Sequence, residues 1–335
     1  MRALITGATG FLGSHIADRL VARGDEVRAL VRPSSDTSFL QQLGVEMVTG
    51  DITDPSSLAR AMTGTDVIYH TAAMVTDWGP WRDFQRVTLD GTRNVFQAAS
   101  DAGVPRILHV STDGVYALSA LKGVVTEDSP LETRFGWLNY YRRSKLAAEH
   151  IARLYGDSGK PEVTIARPGL IFGERDRAMF PGILGFLKSS SAAYLGRGDN
   201  KLPYVYVGDV AEACILGATS DAATGRTYNI VSNEHVTQKQ VYNTIADAAG
   251  IRRPTRHAPA KLLYAVAMAM EAWCLFARRR KVRPELTRYG VILLAYDFRE
   301  DASRIREELG WQPKVPMQEA VRRCVEALER DQPGR

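Results

Sequence analysis

Tyr141 and Lys145 stand four positions apart in Tyr141-Arg142-Arg143-Ser144-Lys145, so a helix over this stretch places a phenol and an amine on one face. An ammonium beside a phenol favours the phenolate and draws its pKa down from about 10. Such a tyrosine can take a proton from an alcohol, or give one to a carbonyl, while a hydride moves. A hydroxyl that orients the substrate oxygen completes the set, and Val110-Ser111-Thr112-Asp113 offers one at the end of an apolar run. Helices bring many Tyr–Lys pairs together, so the pair gains meaning only from a second motif. That motif is Thr6-Gly7-Ala8-Thr9-Gly10-Phe11-Leu12-Gly13. Glycines there let the backbone turn tightly against a pyrophosphate, whose charge meets the N–H groups of the following helix. The spacing is Gly-x-x-Gly-x-x-Gly rather than Gly-x-Gly-x-x-Gly. Its place between a strand pattern and a helix pattern still reads as dinucleotide binding, with Gly7, Thr9, Gly10, Phe11, Leu12 and Gly13 as the contacts.

The second expected strand leads into Ala29-Leu30-Val31-Arg32-Pro33. An acid at this distance would hold a ribose 2′-hydroxyl, whereas an arginine suits a 2′-phosphate. The guanidinium of Arg32 can fork onto phosphate oxygens, so NADP is favoured over NAD. A plain surface arginine is the bland alternative.

The elements that must position these groups alternate. Strand patterns fall at residues 2–6, 26–31, 45–48, 67–70, 106–110 and 163–166, with amphipathic helical stretches at 11–23, 83–102 and 137–155. Asp54 sits as a helix N-cap with Pro55 behind it. Strands spaced by helices mean βαβ units, hence an α/β fold with a parallel sheet covered on both faces. After about Pro168 helical patterns dominate, at 209–218, 238–249, 261–277 and 317–329. The expected organisation is a cofactor domain over 1–167 with returning segments around 204–231. A smaller, mostly helical substrate lobe spans 168–203 and 232–330, and 331–335 form a tail.

Composition narrows the partners. The 335 residues are 45% hydrophobic and 24% charged, which excludes a disordered, collagen-like or multi-span chain. The net charge of +5 is too diffuse to indicate nucleic acid. Cys214, Cys274 and Cys324 have no paired spacing, so neither a disulfide framework nor a zinc site is expected. His70 and His109 lack a second ligand at metal spacing, and no metal is expected. Arg2-Ala3-Leu4-Ile5 is too short for a secretory signal; a reducing, cytoplasmic setting follows. Residues 261–277 are apolar nearly all round, and Arg278-Arg279-Arg280-Lys281 follow at once. With Glu271 inside it, the run falls short of the roughly 20 residues of a spanning helix. It reads either as a buried helix with a solvated basic end or as a lid over an apolar substrate. Such a lid would also make peripheral contact with an anionic membrane surface through 261–281. Trp78 and Trp81 either wall the substrate pocket or pack their own loop.

Taken together, these motifs resemble the extended short-chain dehydrogenases/reductases, the NAD-dependent epimerase/dehydratase superfamily, over nearly the whole chain. Further likeness lies in Val67-Ile68-Tyr69-His70-Thr71-Ala72-Ala73, Ala166-Arg167-Pro168-Gly169-Leu170-Ile171-Phe172-Gly173, Tyr204-Val205-Tyr206-Val207-Gly208-Asp209-Val210 and Leu309-Gly310-Trp311-Gln312-Pro313. Within that family the chain looks most like the 3β-hydroxysteroid dehydrogenase and sterol-4-carboxylate decarboxylating dehydrogenase group. The resemblance implies a Rossmann-type doubly wound sheet, Tyr141 as acid/base, Lys145 as its activator and a ribose ligand, and Thr112 in place of the family's serine. It places Asp51 and Ile52 at the adenine, and Thr71, Ala72, Ala73, Ser111, Pro168, Gly169 and Ile171 along the cofactor. Asp113 and Phe172, with Trp78, fall on the substrate side. Ser111-Thr112-Asp113 also looks like the start of the dehydratases' Thr-Asp-Glu triad, but Gly114 stands at the glutamate position. The expected activity is NAD(P)-dependent interconversion of a secondary alcohol and a ketone on a bulky apolar molecule, first of all the 3β-hydroxyl of a sterol. Decarboxylation would follow if that sterol carries a 4-carboxyl group. Alternatives are a nucleotide-sugar epimerase and a reductase of β-keto acids or flavonoid-like ketones. Relatives of this kind often pair through helices, so a homodimer fits.

Overall fold

The computed structural model describes the chain apart from residues 137, 160, 278–281 and 332–335. Its centre is a seven-stranded sheet of β1 (Arg2–Thr6), β2 (Glu26–Val31), β3 (Glu46–Thr49), β4 (Val67–His70), β5 (Arg106–Val110), β6 (Glu162–Pro168) and β7 (Thr227–Ile230). All pairings are parallel, in the order β7-β6-β5-β4-β1-β2-β3. Strands covered on both faces read as near-continuous apolar runs; six of the seven were legible, the edge strand β3 among them although only Val48 of its four residues is buried. The exception, β7, carries Asn229 at full burial. That amide is satisfied only across the fold, accepting from the Tyr116 hydroxyl at 2.5 Å and donating to the Asp301 carbonyl at 3.1 Å.

Helices α1 (Phe11–Ala22) and α4 (Val207–Thr219) cover one face, where Ile16, Leu20, Val210 and Cys214 join the larger core. On the other face lie α2 (Gly91–Asp101) and α3 (Tyr140–Asp157), with Val95, Phe96, Ala99 and Ala152 in a second core. The architecture is therefore a Rossmann-type α/β fold. The expected 83–102 helix is interrupted by a π-helical stretch, Gln85–Asp90, of the kind that recurs near functional sites. Helix α3 starts at Tyr140 rather than 137, because Leu138 adopts a left-handed φ of 70° that no α-helix contains. Asp54 does accept from the Ser56 N–H with Pro55 behind it, but what it caps is a three-residue 3₁₀ turn, Pro55–Ser57.

Beyond β6 the lobe is less purely helical than expected. Leu170–Phe172 pairs with Tyr204–Tyr206, and Ala193–Leu195 with Arg256–Ala258, both in parallel. Two helices of this lobe matter for the site: α5 (Ala260–Ala277) and α6 (Arg288–Ala295), which pack on each other. All three cysteines are buried and free.

Three histidines lie inside the fold: His15 beside the Glu174 carbonyl (2.8 Å), His70 between the Thr6 and Thr92 hydroxyls (2.7 and 3.0 Å), and His109 against His70. Burial holds His15 and His70 at about 3 and His109 well below the usual imidazole value; Arg175 adds to the first shift and Lys145 to the other two. A depressed histidine stabilises the fold fully above its unfolded pKa of about 6.5, and that contribution fades as pH falls from there toward the folded value. Going from pH 7.5 to 5.5 should therefore cost about 1 kcal/mol per histidine. Raised buried carboxyls work in the opposite sense, so the effect is read as a difference. Denaturant titrations at the two pH values should show His109→Phe losing about 1 kcal/mol less than the unaltered protein, and equal losses would refute the assignment.

Candidate active site

The glycine turn lies where β1 and β4 adjoin and the strand order reverses, the position at which open α/β sheets bind ligands. Gly7 has φ +78°, and a Cβ there would sit 2.7 Å from Thr71 Oγ1 and 2.9 Å from the Ala72 nitrogen. A Cβ on Gly13 would come within 2.2 Å of the Gly7 carbonyl oxygen, so the helix meets the turn only without side chains. No side chain caps α1 at Gly10. The N–H groups of Phe11, Leu12 and Gly13 precede any possible i−4 partner within the helix and are open to an anion. An uncapped helix end over a cradle that a Cβ would fill fits a dinucleotide pyrophosphate.

The other expected cofactor residues follow strand ends along the same edge. Thr71 donates its hydroxyl to the Thr6 carbonyl at 2.8 Å and leads into Ala72 and Ala73. Arg32 is exposed just past β2. Past β3, the carboxylate of Asp51 accepts from the Thr53 N–H and hydroxyl (2.8 and 2.9 Å), while Ile52 is buried against Gly91. Pro168 closes β6, and Ile171 is half-buried beyond it.

Some residues expected here are committed elsewhere. Ser111, expected along the cofactor, donates its hydroxyl to Glu149 at 2.7 Å inside the sheet–helix layer. Gly169 owes its type to packing, since a Cβ would lie 2.2 Å from the Pro203 carbonyl oxygen. Phe172, expected on the substrate side, is 1% exposed and locked between the rings of Phe180 and Tyr204, so it belongs to the core. Trp78 is likewise buried, in a cluster with Leu138 and Cys274; the packing alternative for this residue holds. Trp81 lies under the Arg143 guanidinium, 4.3 Å from its ring.

Helix α3 carries Tyr141 and Lys145 under the end of β5. Tyr141 shares a side-chain hydrogen bond with Thr112, which itself donates to Asp113 Oδ1 at 2.9 Å. The expected effect of lysine on the phenol is not found. Tyr141 is pushed up to about 12 by burial and by the negative charge of Asp113, against the opposing bond from Thr112. Lys145 instead anchors its ammonium on the Val110 carbonyl at 2.6 Å, and burial brings it down to about 8 with Glu149 opposing. One helical turn sets the two side chains on one face, but the carbonyl at the strand end decides where the ammonium goes.

Two groups at the site were not anticipated. Tyr289 of α6 sets its ring 6.1 Å from that of Tyr141, tilted by 46°. A Cβ on Gly114 would lie 3.1 Å from the Tyr289 hydroxyl oxygen, so the space a dehydratase-type glutamate would need at 114 is taken by this phenol. The second is Glu300, buried and hydrogen-bonded to Asp113. Beneath them runs a buried ionic frame: Arg167 reaches Glu149 at 2.5 and 3.1 Å and the Tyr116 hydroxyl at 2.8 Å. Arg142 donates to the Gly114 and Tyr116 carbonyls at 2.5 and 2.7 Å. This frame fixes the turn that carries Thr112 and Asp113.

Helix α5 buries only Ala267, Glu271 and Cys274. Glu271 accepts from the Arg288 N–H and guanidinium at 2.8 and 2.6 Å, which ties α5 to α6. Asp77, after β4, grips Arg283 and the Thr287 hydroxyl at 2.7 and 2.5 Å and fastens the helix pair to the loop that follows β4. The reading of 261–277 as a buried helix is thus overturned, for Leu262, Val266, Trp273 and Phe276 face outward, the last two 65% and 83% exposed. By length and apolarity the helix could cross a membrane. The basic run 278–281 lies outside the described residues. Among those described, no cluster of three or more metal-ligating side chains occurs.

A reversing parallel sheet, a glycine cradle and a tyrosine–threonine pair at the strand ends define a nicotinamide-dependent enzyme of the extended short-chain dehydrogenase/reductase class. The chain belongs to the NAD dependent epimerase/dehydratase family, whose model matches residues 3–231. It is 33% identical to sterol demethylase protein B of Methylococcus capsulatus over 93% of this chain and 94% of that one. To the 2-alkyl-3-oxoalkanoate reductase of Shewanella oneidensis it is 29% identical, over 97% and 86%. The solved UDP-glucuronic acid 4-epimerase of Bacillus cereus, in complex with NAD, superposes with a TM-score of 0.75 over 98% of this chain and 99% of that one. At 20% identity that likeness is one of fold.

Proposed function

We propose that this enzyme interconverts a secondary alcohol and a ketone on a bulky apolar substrate, the 3β-hydroxyl of a sterol in the first place. The observation that carries the reading is the half-buried Tyr141 beside the buried Thr112, next to the apolar cluster of Trp78, Leu138 and Cys274 that packs on Tyr140. A nicotinamide dinucleotide, when bound, supplies the hydride acceptor or donor. Gly7, Gly10, Gly13 and the first-turn amides of α1 hold its pyrophosphate, and Asp51 and Ile52 its adenosine half. Thr112 orients the substrate oxygen and Tyr141 moves the proton at that atom. In a 4-carboxysterol, oxidation at C3 creates a β-keto acid, which loses carbon dioxide with no further catalytic group. Likeness to sterol demethylase protein B favours this substrate class, while likeness to the 2-alkyl-3-oxoalkanoate reductase favours a 2-alkyl β-keto acid as the second reading.

The readings are separated by following nicotinamide absorbance with 3β-hydroxysterols, 4-carboxysterols and 2-alkyl-3-oxoalkanoates, each with both cofactors, and by product analysis with UDP-sugars, whose epimerisation returns the hydride and leaves the absorbance unchanged. Turnover confined to the sugars would overturn the proposal. We assign the cofactor preference to NADP on Arg32, exposed past β2, because a guanidinium there matches a 2′-phosphate and repels nothing. Arg32→Asp should shift the kcat/KM ratio toward NAD by at least about tenfold, a change of roughly 1.4 kcal/mol; an unchanged ratio would reject the assignment.

Helix α5 further supports docking on an anionic membrane, the reservoir of such substrates. Leu262, Val266, Trp273 and Phe276 share its outward stripe, the chain carries a net +5, and Arg278–Lys281 follow in sequence. Apolar faces with basic flanks bind interfaces in this way. The protein should co-sediment with phosphatidylglycerol vesicles and lose most of that binding in Trp273→Ser/Phe276→Ser. Equal binding by that variant, or none by the unaltered protein, would remove this part of the reading.

A further inference from the structure

The structure places behind Tyr141 a pair of carboxyl groups whose joint burial the reaction described above does not require. Asp113 is 6% exposed and Glu300 7%. Glu300 arrives from the far end of the chain: Val125 bridges to it in parallel, with the Val125 N–H on the Arg299 carbonyl (2.7 Å) and the Asp301 N–H on the Val125 carbonyl (2.9 Å). A side-chain hydrogen bond joins the two carboxyls. Neither Asp113 Oδ2 nor Glu300 Oε2 has a donor from elsewhere in the described protein. Two carboxylates cannot hydrogen-bond without a proton, so one proton held between them satisfies both oxygens at once. The groups around them agree. Thr112 and the Gly114 N–H face Asp113 from its own turn, Arg142 and Tyr141 from α3, and Tyr289 from α6; Arg167, Glu127 and Tyr116 face Glu300. Of the cations, Arg167 is already spent on Glu149, and Arg142 on two carbonyls.

We propose that Asp113 and Glu300 share one proton and serve as the proton station behind Tyr141, through the chain Tyr141–Thr112–Asp113–Glu300. This rests on the reading of Tyr141 as the group that moves the substrate proton. During alcohol oxidation the substrate O–H proton passes to Tyr141 Oη, the phenol proton to Thr112 Oγ1, and the Thr112 proton to Asp113 Oδ1, along the bond already present at 2.9 Å. The carbon's hydride leaves to the oxidised nicotinamide. The substrate thereby loses one proton and one hydride, and the carboxyl pair goes from one proton to two. Ketone reduction runs the same transfers backward. Tyr141 therefore never has to exist as a free phenolate, which accords with its raised pKa. Asp113 and Glu300 are positioning residues in this scheme, acting on the substrate only through Tyr141.

The test uses the full-length enzyme and the substrate identified by the panel. Difference infrared spectra at neutral pH should show a protonated carboxyl band that Glu300→Gln abolishes. In that variant the glutamine amide still donates to Asp113 but holds no exchangeable acid. The acidic limb of the kcat profile for alcohol oxidation should move down by a pH unit or more, because a carboxylate given a fixed donor protonates less readily. Asp113→Asn should lower oxidation kcat at least tenfold with cofactor affinity within twofold. If Asp113→Asn does not fold, the infrared and pH readouts of Glu300→Gln decide alone. An unchanged profile together with an unchanged infrared band overturns the proposal while leaving Tyr141 in its role. Full activity in Tyr141→Phe overturns the underlying reading instead, whatever the pair does.

Discussion

Tyr141→Phe should lower turnover about a thousandfold, the middle of the range for losing a positioned acid/base group, while cofactor affinity stays within twofold. The substitution keeps the ring that lies against Tyr289 and removes only the oxygen that meets Thr112. Its effect should therefore fall on kcat rather than on folding or on binding at the glycine cradle. Steady-state kinetics on the panel substrate, with a fluorescence titration of the cofactor, make the comparison. Retention of more than a tenth of the normal rate would remove Tyr141 from the reaction. A parallel collapse of cofactor binding would mean that the residue holds the dinucleotide rather than the proton.

Arg167→Leu should cost about 3–5 kcal/mol of unfolding free energy, the penalty of leaving a buried charge without its partner. Glu149 is fully buried and takes two bonds, at 2.5 and 3.1 Å, from the equally buried Arg167. The Ser111 hydroxyl and the half-exposed Arg153 (2.7 and 3.0 Å) are what would remain to it. Arg167 normally holds the Glu149 carboxyl below its ordinary pKa against the pull of desolvation, so the variant should regain stability as pH falls and Glu149 takes up a proton. Removing both charges, as Arg167→Leu/Glu149→Leu, should be less costly than the single change, since an apolar pair leaves nothing unsatisfied. Denaturant midpoints with unchanged slopes give these numbers. A loss below about 1 kcal/mol would show that the frame beneath the Thr112 turn is not the anchor the geometry makes it.

The cradle was legible because its requirement is local: Gly7 must take a positive φ beneath Thr71, and Gly13 must let a helix touch the turn behind it. So was the shared face of Tyr141 and Lys145, which helical periodicity alone imposes. The strand patterns were legible because strands buried on both faces must be apolar throughout. What failed was the prediction of electrostatic state. Proximity along α3 suggested a lowered phenol pKa, yet the Val110 carbonyl takes the ammonium while burial, with Asp113 adding to it, raises the phenol.

The amino-acid sequence by itself determined the parallel sheet, the phosphate cradle and the acid/base candidate, since each depends on residues a turn or a strand apart. Only the tertiary structure decided that Glu300 and Tyr289 reach the site, that Phe172 and Ser111 serve the core, and that α5 turns an apolar stripe outward. The physical reason is that a polar side chain's role follows from which partners share its burial. Those partners come from strands and loops brought together only when the chain closes: Arg167 with Glu149 across the sheet and helix, and Glu300 with Asp113 from opposite ends of the fold.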